Sequence, residues 1–309
     1  MRHPETCCLL GAPVGAGAGV AGCELGPAAY RAAGLAEALG AAGWSVADLG
    51  DAHPQPAPVA PHPNRALRHL PETVGMIRGL GAAALEAGRR CDLPVFLGGD
   101  HSISAATIPA MALRAREAGR PFFLLWLDAH PDLHDLDTTA SGNLHGTPAA
   151  YVLGLDGFAA FPALPAGVAA DNVCMMGLRS VDGAEAPRLA ALGIAAHPMA
   201  ELAKCGVDAP LARFLDRVAH AGGDLHVSFD VDFLDPAVAP AVGTAVPDGA
   251  SAAEAHRIAA ALSDSGLVTS LDLVELNPRL DPEGSSVALI RDLACAMLPP
   301  RAALRRTGT

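Results

Sequence analysis

Short apolar runs alternate with alanine-rich stretches along this 309-residue chain. Eight runs have the length of strands, at residues 7–10, 45–49, 94–97, 122–127, 173–177, 193–196, 225–229 and 268–273. Parallel strands that are buried on both faces have this apolar character, and the helices between them cover the two faces of the sheet. The alternation therefore predicts an α/β fold: three-layer α/β/α with a central, mostly parallel sheet of about eight strands.

The clearest helices are predicted at residues 27–39, 72–86, 102–117, 210–221, 251–262 and 285–297. Ser251 and Glu254 stand in the spacing of a capping box at the start of the fifth of these helices. The proline-rich residues 50–64 predict an irregular surface loop. No shift in composition and no repeat divides the chain, so we expect residues 1–309 to form a single catalytic domain.

The charge balance excludes several classes of protein. The chain has 33 acidic residues against 21 Lys and Arg, a net charge of -12, which argues against a nucleic-acid partner and favours neutral or cationic small substrates. Apolar stretches are interrupted before they reach membrane-spanning length, and the first residues lack the pattern of a signal peptide, so we expect no membrane partner and a cytoplasmic location. Seven scattered cysteines without a CxxC pair predict neither a disulfide framework nor a zinc ribbon.

Two common nucleotide-binding motifs are not supported by their surroundings. Residues 17–22 match GxGxxG, but the glycines begin well past the preceding strand and the next helix starts only near Pro27, so a flexible loop is the better interpretation. Lys204 is the only lysine of the chain, and no Gly-Lys-Ser/Thr precedes a helix. A P-loop is therefore excluded.

Polar clusters follow four of the predicted strands directly. They are Gly-Gly-Asp-His-Ser at 98–102, Asp-Ala-His-Pro-Asp at 128–132, Asp-Val-Asp at 230–232, and Glu275. Ligands of an open parallel sheet bind outside the carboxyl ends of its strands. We therefore expect the four clusters to converge on one site.

The spacing within the clusters indicates a metal centre. In an extended chain, residues two apart point to the same side, so Asp128, His130 and Asp132 share one face, and Asp230 and Asp232 share another. So many carboxylates repel one another unless they are protonated or bind cations, and two divalent ions about 3.5 to 4 Å apart would balance them. Oxygen-rich ligation with two imidazoles favours Mn²⁺ over zinc, with cobalt or iron left open.

Three further motifs are weaker evidence for a functional site than the four polar clusters. A second Asp-Ala-His-Pro, at residues 51–54, lacks the Asp two positions after the His and is predicted to be a turn. The loop 141–146 places His145 beside a glycine, where a histidine could move protons. Residues 177–182 end a strand with Asp182, which could bind an amino group. Each of these motifs alone is weak evidence for a function.

Together the motifs resemble those of the arginase or ureohydrolase family, and most closely its bacterial arginases. The family's order and comparable spacings are kept from about Leu9 to Met297 by GGDHS, DAHPD, SGNLHG, GLRSVD, SFDVDFLDP, VGT and LDLVELNP. The resemblance implies an arginase-like fold, two Mn²⁺ per chain, and a homotrimer or homohexamer. It implies one ion held by His101, Asp128, Asp132 and Asp230, and the other held by His130, Asp128, Asp230 and Asp232.

The resemblance also implies a reaction, in which a hydroxide bridging the two ions attacks the guanidinium carbon of L-arginine and yields L-ornithine and urea. Asp132 would hold the hydroxide and relay its proton, His145 would act as general acid or base, and Glu275 would pair with the guanidinium. The substrate contacts that it implies are Ser141 and Asn143 on the α-carboxylate, Asp182 and Glu185 on the α-amino group, and Thr244 beside the guanidinium.

One position departs from the family pattern. Familiar arginases carry Asn two residues after the last acid of DAHPD, where this chain has His134, which we expect to bind substrate as a hydrogen-bond donor. The alternatives are another ureohydrolase, acting on 4-guanidinobutyrate or agmatine, and, from a different class, a metal-binding pseudoenzyme. Since every ligand position is filled, the pseudoenzyme is disfavoured.

Overall fold

Eight strands form one central sheet in the computed structural model, which describes residues 5–56 and 58–298. The strands are β1 Thr6–Ala12, β2 Ser45–Asp51, β3 Leu93–Gly98, β4 Phe122–Leu127, β5 Val173–Leu178, β6 Ala195–Pro198, β7 Asp224–Asp230 and β8 Val268–Val274. All pairings between them are parallel, in the order β2-β1-β3-β8-β7-β4-β5-β6. The predicted fold class is confirmed, and each predicted strand overlaps one observed strand.

Helices cover both faces of the sheet. In the described ranges they are α1 Gly26–Ala32, α2 Leu35–Ala41, α3 Leu70–Arg90, α4 Ser104–Glu117, α5 Pro148–Val152, α6 Glu185–Leu192, α7 Met199–Cys205, α8 Asp208–Ala221, α9 Ala252–Ser265 and α10 Ser285–Met297. Alternate residues of a strand enter different cores: Val95 and Leu97 of β3 pack in one hydrophobic cluster, whereas Phe96 packs in the other. The sheet is therefore the middle of three layers. None of the helices in the described ranges has the length and apolar character needed to span a membrane.

Three features differ from the sequence expectations. The helix predicted at 27–39 is two helices, because Gly34 between α1 and α2 takes the left-handed conformation, with φ 78°. The short helices α5, α6 and α7 were not expected. Cys8 of β1 and Cys91 form a disulfide across 83 residues of sequence, which no cysteine spacing indicated.

The strand order determines where a site can form. β3, β8, β7 and β4 are neighbours, and they are the four strands that the polar clusters follow. Since all four run in the same direction, their carboxyl ends lie side by side along one edge of the sheet. The strand order thus brings together residues as far apart in sequence as Asp100 and Glu275.

The proline-rich segment is anchored despite its irregular backbone. Asn64 donates its side-chain N–H groups to the carbonyl oxygens of Leu136 and Thr139, at 2.9 and 3.0 Å. The N–H of Arg68 donates to the carbonyl oxygen of Gly142 at 3.0 Å. The end of the segment and the residues directly after it therefore contact residues 136–142, which include Ser141.

Candidate metal centre

Two groups of ligand atoms meet at the carboxyl ends of β4 and β7. His101, Asp128 and Asp230 form the first group, and Asp128, His130 and Asp232 form the second, with the potential ligand atoms of each group within 4.8 Å of one another. Asp128 belongs to both groups. The arrangement therefore offers two adjacent cation sites that share one carboxylate.

Tight turns after the strands aim these carboxylates inward. Asp128 Oδ1 accepts the N–H of His130 at 2.6 Å, and Asp230 Oδ1 accepts the N–H of Asp232 at 2.8 Å. Asp232 Oδ1 accepts the N–H of Ala129 at 2.9 Å, which joins the two turns. In Asp128 and Asp230, Oδ1 orders the backbone, while Oδ2 lies beside Nδ1 of His101.

The first group fits a divalent cation. Nδ1 of His101 lies 3.0 Å from Asp128 Oδ2, 3.1 Å from Asp230 Oδ2 and 3.3 Å from Asp132 Oδ2. His101 Nδ1 and Asp128 Oδ2 are buried, and neither has a hydrogen-bond partner within residues 5–56 and 58–298. Buried polar atoms without partners are costly, and a cation bound between these two would satisfy both.

The second group is also close. Nδ1 of His130 lies 2.9 Å from Asp232 Oδ2 and 3.4 Å from Asp128 Oδ1. Trp126 donates its indole N–H to the carbonyl oxygen of His130 at 3.2 Å, which anchors the backbone of this ligand candidate to β4. Both groups combine imidazole nitrogen with carboxylate oxygen, a donor set that suits first-row divalent metals.

The buried carboxylates of the cluster repel one another. Burial raises the pKa values of Asp132, Asp230 and Asp232, and the Asp128 carboxylate raises them further. Burial opposes protonation of His130, but Asp128 and Asp232 raise its pKa to about 12. Divalent cations would replace these protons as the positive charge that balances the cluster.

A cavity of about 150 Å³ opens beside the ligand candidates. Most of the predicted site residues line it: His101, His130, Asp132, His134, His145, Asp182, Glu185, Asp230, Asp232, Thr244 and Glu275. Asp128 lies beneath the surface at 1% exposure. Ser141 and Asn143 are not among the residues that line this cavity. They lie on the loop that leads to His145, so a substrate would have to extend beyond the cavity to contact them.

Glu275 and His145 face each other on the wall of the cavity. Glu275 Oε1 lies 2.8 Å from Nδ1 of His145 and accepts the N–H of His101 at 2.7 Å. Burial opposes protonation of His145, but the charge and hydrogen bond of Glu275 raise its pKa to about 9. The pair thus joins an acceptor carboxylate to a group that can carry a proton.

A third polar group lies on the cavity wall, away from the two ligand groups. Nε2 of His134 lies 2.7 Å from Asp182 Oδ2, and Glu185 Oε1 accepts the N–H of Leu133 at 2.9 Å. The ligand atoms of His134, Asp182 and Glu185 lie within 4.8 Å of one another. The predicted substrate residue His134 is therefore already paired with the predicted partner of an amino group.

Some contacts of the site could not be foreseen from the sequence. The Cys23 thiol donates to Glu275 Oε2 at 3.4 Å, across 252 residues, although nothing in its surroundings in the sequence suggests such a contact. In the GxGxxG segment, the N–H of Gly17 donates to Asp100 Oδ2 at 2.7 Å, and its carbonyl oxygen accepts the N–H of His145 at 3.2 Å. Ser180 and Val242 also line the cavity.

Comparisons with known proteins point to one family. The model of the arginase family matches residues 5–298. The chain is 56% identical over 297 residues to an arginase of Agrobacterium fabrum, covering 96% of this chain and 92% of that protein. It is 50% identical over 293 residues to an arginase of Brucella melitensis, covering 94% of this chain and 95% of that protein.

A solved structure shares the fold as well. The arginase of Bacillus caldovelox superposes with a TM-score of 0.87 at 29% sequence identity, covering 95% of this chain and 98% of the other. The predicted resemblance is confirmed, and so is the expectation of an arginase-type enzyme. From the family match over nearly its whole described length and from relatives at half identity or more, the chain belongs to the arginase family.

Proposed function

We propose that this protein is a dinuclear manganese arginase that hydrolyses L-arginine to L-ornithine and urea. The observation that carries the proposal is the position of Asp128, whose carboxylate belongs to two adjacent groups of ligand atoms beside a cavity of about 150 Å³. Relatives named arginase at 56% and 50% identity support the same reaction.

In this proposal His101, Asp128, Asp132 and Asp230 hold one Mn²⁺, and His130, Asp128, Asp230 and Asp232 hold the other. Bound there, the ions would supply the Lewis acidity that makes a water nucleophilic at neutral pH. Asp132 lines the cavity beside both imidazoles. Its carboxylate would accept and relay a proton of the attacking water.

Glu275 recognises the guanidinium group. It is 4% exposed, and its Oε1 already accepts two N–H groups, so its orientation is fixed before substrate arrives. A carboxylate held in this way pairs with a guanidinium through charge-assisted hydrogen bonds. Thr244 lines the same cavity, and His145 delivers a proton to the departing amine.

The amino-acid end of the substrate meets Asp182 and Glu185, which bind the α-amino group. His134 has Nε2 2.7 Å from Asp182 Oδ2 and Nδ1 3.3 Å from Thr138 Oγ1, so it donates to the α-carboxylate by exchanging its Thr138 contact for the substrate. Ser141 and Asn143 complete that contact. The His134–Asp182 pair places a donor and an acceptor side by side, as the two charges of a zwitterion require.

We also propose that the protein is a cytoplasmic homotrimer or homohexamer, as the resemblance to the family implies. Light scattering on the purified protein distinguishes these assemblies, and a monomer would contradict both.

The metal assignment is tested by adding Mn²⁺ to protein that has first been stripped with a chelator. We expect bound metal and urea release to rise together and to level off at about two ions per chain, because each of the two adjacent ligand groups would hold one ion and both ions would activate the water. Asp128→Asn should lose most of the bound metal and the activity, whereas Asp156→Asn, at an exposed position outside the groups of ligand atoms, should lose neither. An Asp128→Asn protein that keeps two ions and the parent rate would disprove the shared ligand.

A further inference from the structure

Six buried polar side chains extend into the core beneath the candidate metal centre. They lie on α4, β7 and β8, each is 0% exposed, and we call them the buried polar column: Ser104, Thr107, His226, Ser228, Ser270 and Asp272. The reaction proposed above uses none of them. Burying a carboxylate and an imidazole in a hydrophobic core is costly unless they are well partnered, so the column calls for an explanation.

The register of the sheet explains why these residues meet. His226, Ser228 and the ligand candidate Asp230 alternate along β7 and therefore point to the same face. Ser228 pairs with Asp272 of β8, and His226 pairs with Ser270. The column thus continues downward from the same strand face that presents Asp230 to the metal centre.

Asp272 is the carboxylate acceptor of the column. Its Oδ2 accepts the hydroxyl of Ser104 and the hydroxyl of Thr107, both at 2.7 Å. His226 Nε2 lies 3.3 Å from the same oxygen. Two hydroxyl donors from neighbouring turns of α4 therefore converge on one carboxylate oxygen.

Ser104 connects this carboxylate to a metal ligand candidate. Its Oγ lies 3.5 Å from Ser228 Oγ, the longest step of the chain, and Ser228 Oγ lies 2.8 Å from Nε2 of His101. Thr107 has no such connection in the described part of the chain: besides Asp272, its hydroxyl hydrogen-bonds there only to the carbonyl oxygen of Ile103, at 3.4 Å.

The carboxylate determines the direction of these hydrogen bonds. Because Ser104 gives its only hydroxyl proton to Asp272, its oxygen can only accept toward Ser228. Ser228 then donates to Ser104 and accepts from the N–H at Nε2 of His101. This leaves the lone pair of the neutral imidazole on Nδ1, the atom that lies 3.0 Å from Asp128 and 3.1 Å from Asp230.

The imidazole plane is fixed separately. The His101 ring stacks on Trp126, with ring centroids 4.1 Å apart and planes within 6°. Stacking holds the plane of the ring but does not select which nitrogen carries the proton. Ser228 makes that selection, and Ser104 and Asp272 orient Ser228.

We propose that Asp272 and Ser104 are positioning residues of the metal centre, which act through Ser228 to hold His101 with its Nδ1 lone pair directed at the ion. The inference rests on the metal assignment proposed above. Partners that orient a metal-binding imidazole in this way commonly contribute about 10- to 100-fold in metal affinity.

Ser104 and Thr107 provide a matched pair of variants. Both donate to Asp272 Oδ2 at 2.7 Å from the same helix, but only Ser104 continues to Ser228 and His101. Ser104→Ala and Thr107→Val should therefore lower stability against urea to a similar extent. Asp272→Asn is the more direct change, but it places an amide against two hydroxyl donors and disturbs the packing. The comparison of Ser104→Ala with Thr107→Val therefore decides whether the proposal holds.

The measurement is Mn²⁺ binding to chelator-stripped protein, followed by the electron paramagnetic resonance signal of free Mn²⁺. We expect Ser228→Ala to lower the binding affinity for one of the two Mn²⁺ ions about 10- to 100-fold. Ser104→Ala should lower the affinity for the same ion about 10-fold. Thr107→Val should stay within about twofold of the parent, because it leaves the connection to His101 intact.

Equal Mn²⁺ affinities for Ser104→Ala and Thr107→Val would overturn the proposal, since the column would then act only as packing. Parent protein that binds no Mn²⁺ at all would instead contradict the metal assignment itself. The two failures are distinguishable because the binding measurement does not depend on arginine hydrolysis.

Discussion

Unusual backbone conformations occur at two residues of the candidate site. Four non-glycine residues of the described ranges have positive φ, and Asp132 with φ 49° and Glu275 with φ 65° are two of them. Such conformations cost of order 1–3 kcal/mol each and persist where surrounding structure enforces them. For Glu275 the constraint is visible, since its N–H donates to the carbonyl oxygen of Gly99 at 2.8 Å.

His145 provides the clearest prediction for a single residue. Its ring contacts Glu275 but belongs to neither group of metal ligand atoms. We expect His145→Ala to retain about two Mn²⁺ per chain while kcat falls by about 10² to 10⁴, because a proton-transfer group is removed without a ligand.

Metal content and kcat are measured on the same preparation, with the exposed His220→Ala as control. Loss of metal from His145→Ala would contradict the proposed role. Recovery of activity on addition of imidazole would support it.

The sequence predicted the candidate metal ligands, but it did not predict which distant residues contact the site. Spacing of two residues in DAHPD and DVD placed Asp128, His130 and Asp232 together, because strand geometry depends only on local sequence. Cys23 and Gly17 reach the site through contacts that depend on how distant segments pack, as Gly17 does on Asp100. Periodicity carries no information about such contacts, so they could not be predicted.

Helices and strands were also predicted where the local sequence pattern is distinctive and missed where it is not. The buried strands were predicted because apolar runs of strand length are distinctive, and β4 was found at the predicted residues, 122–127. The short helices α5, α6 and α7 contain 5, 8 and 7 residues, too few to show a helical period. The break at Gly34 depends on one backbone conformation within an otherwise helix-favouring stretch.

The capping box of α9 gives a prediction at this scale. The N–H of Glu254 donates to the Ser251 hydroxyl at 3.3 Å, and the Glu254 carboxylate accepts the N–H of Ser251 at 2.9 Å. Ser251→Ala should lower the free energy of unfolding by about 1 kcal/mol, because it leaves an N-terminal N–H of the helix without its partner.

Urea unfolding measures this difference, and Asp264→Ala, at an exposed position near the other end of α9, is the control. Equal stability of Ser251→Ala and the parent protein would show that water replaces the cap at no cost. We expect activity to remain unchanged, since α9 does not line the cavity described above.

For the molecule as a whole, we propose that the chain is a single domain. One sheet runs through the described ranges, and no strand pairs outside it. The two tryptophans report on different parts of the sheet, because Trp44 precedes β2 at one edge and Trp126 lies within β4.

In chelator-stripped protein, the single-tryptophan variants Trp44→Phe and Trp126→Phe should unfold in one transition each, with the same denaturant dependence. A single cooperative unit exposes all of its surface together, so the slopes should agree even where the substitution shifts the midpoint. Two transitions, or slopes that differ by about twofold, would indicate separately folding units.

The central claim is that the cavity is specific for L-arginine. Agmatine lacks the α-carboxylate that His134, Ser141 and Asn143 would bind, and 4-guanidinobutyrate lacks the α-amino group that Asp182 and Glu185 would bind. Each missing group leaves polar partners of the site unpaired, which should weaken transition-state binding by about 1 to 3 kcal/mol.

The most direct test is kcat/KM for the three compounds with the Mn²⁺-loaded protein. We expect L-arginine to exceed both analogues by at least about tenfold, with ornithine and urea formed in equal amounts. Faster hydrolysis of agmatine or 4-guanidinobutyrate than of L-arginine would leave the metal chemistry standing and contradict the assignment as an arginase.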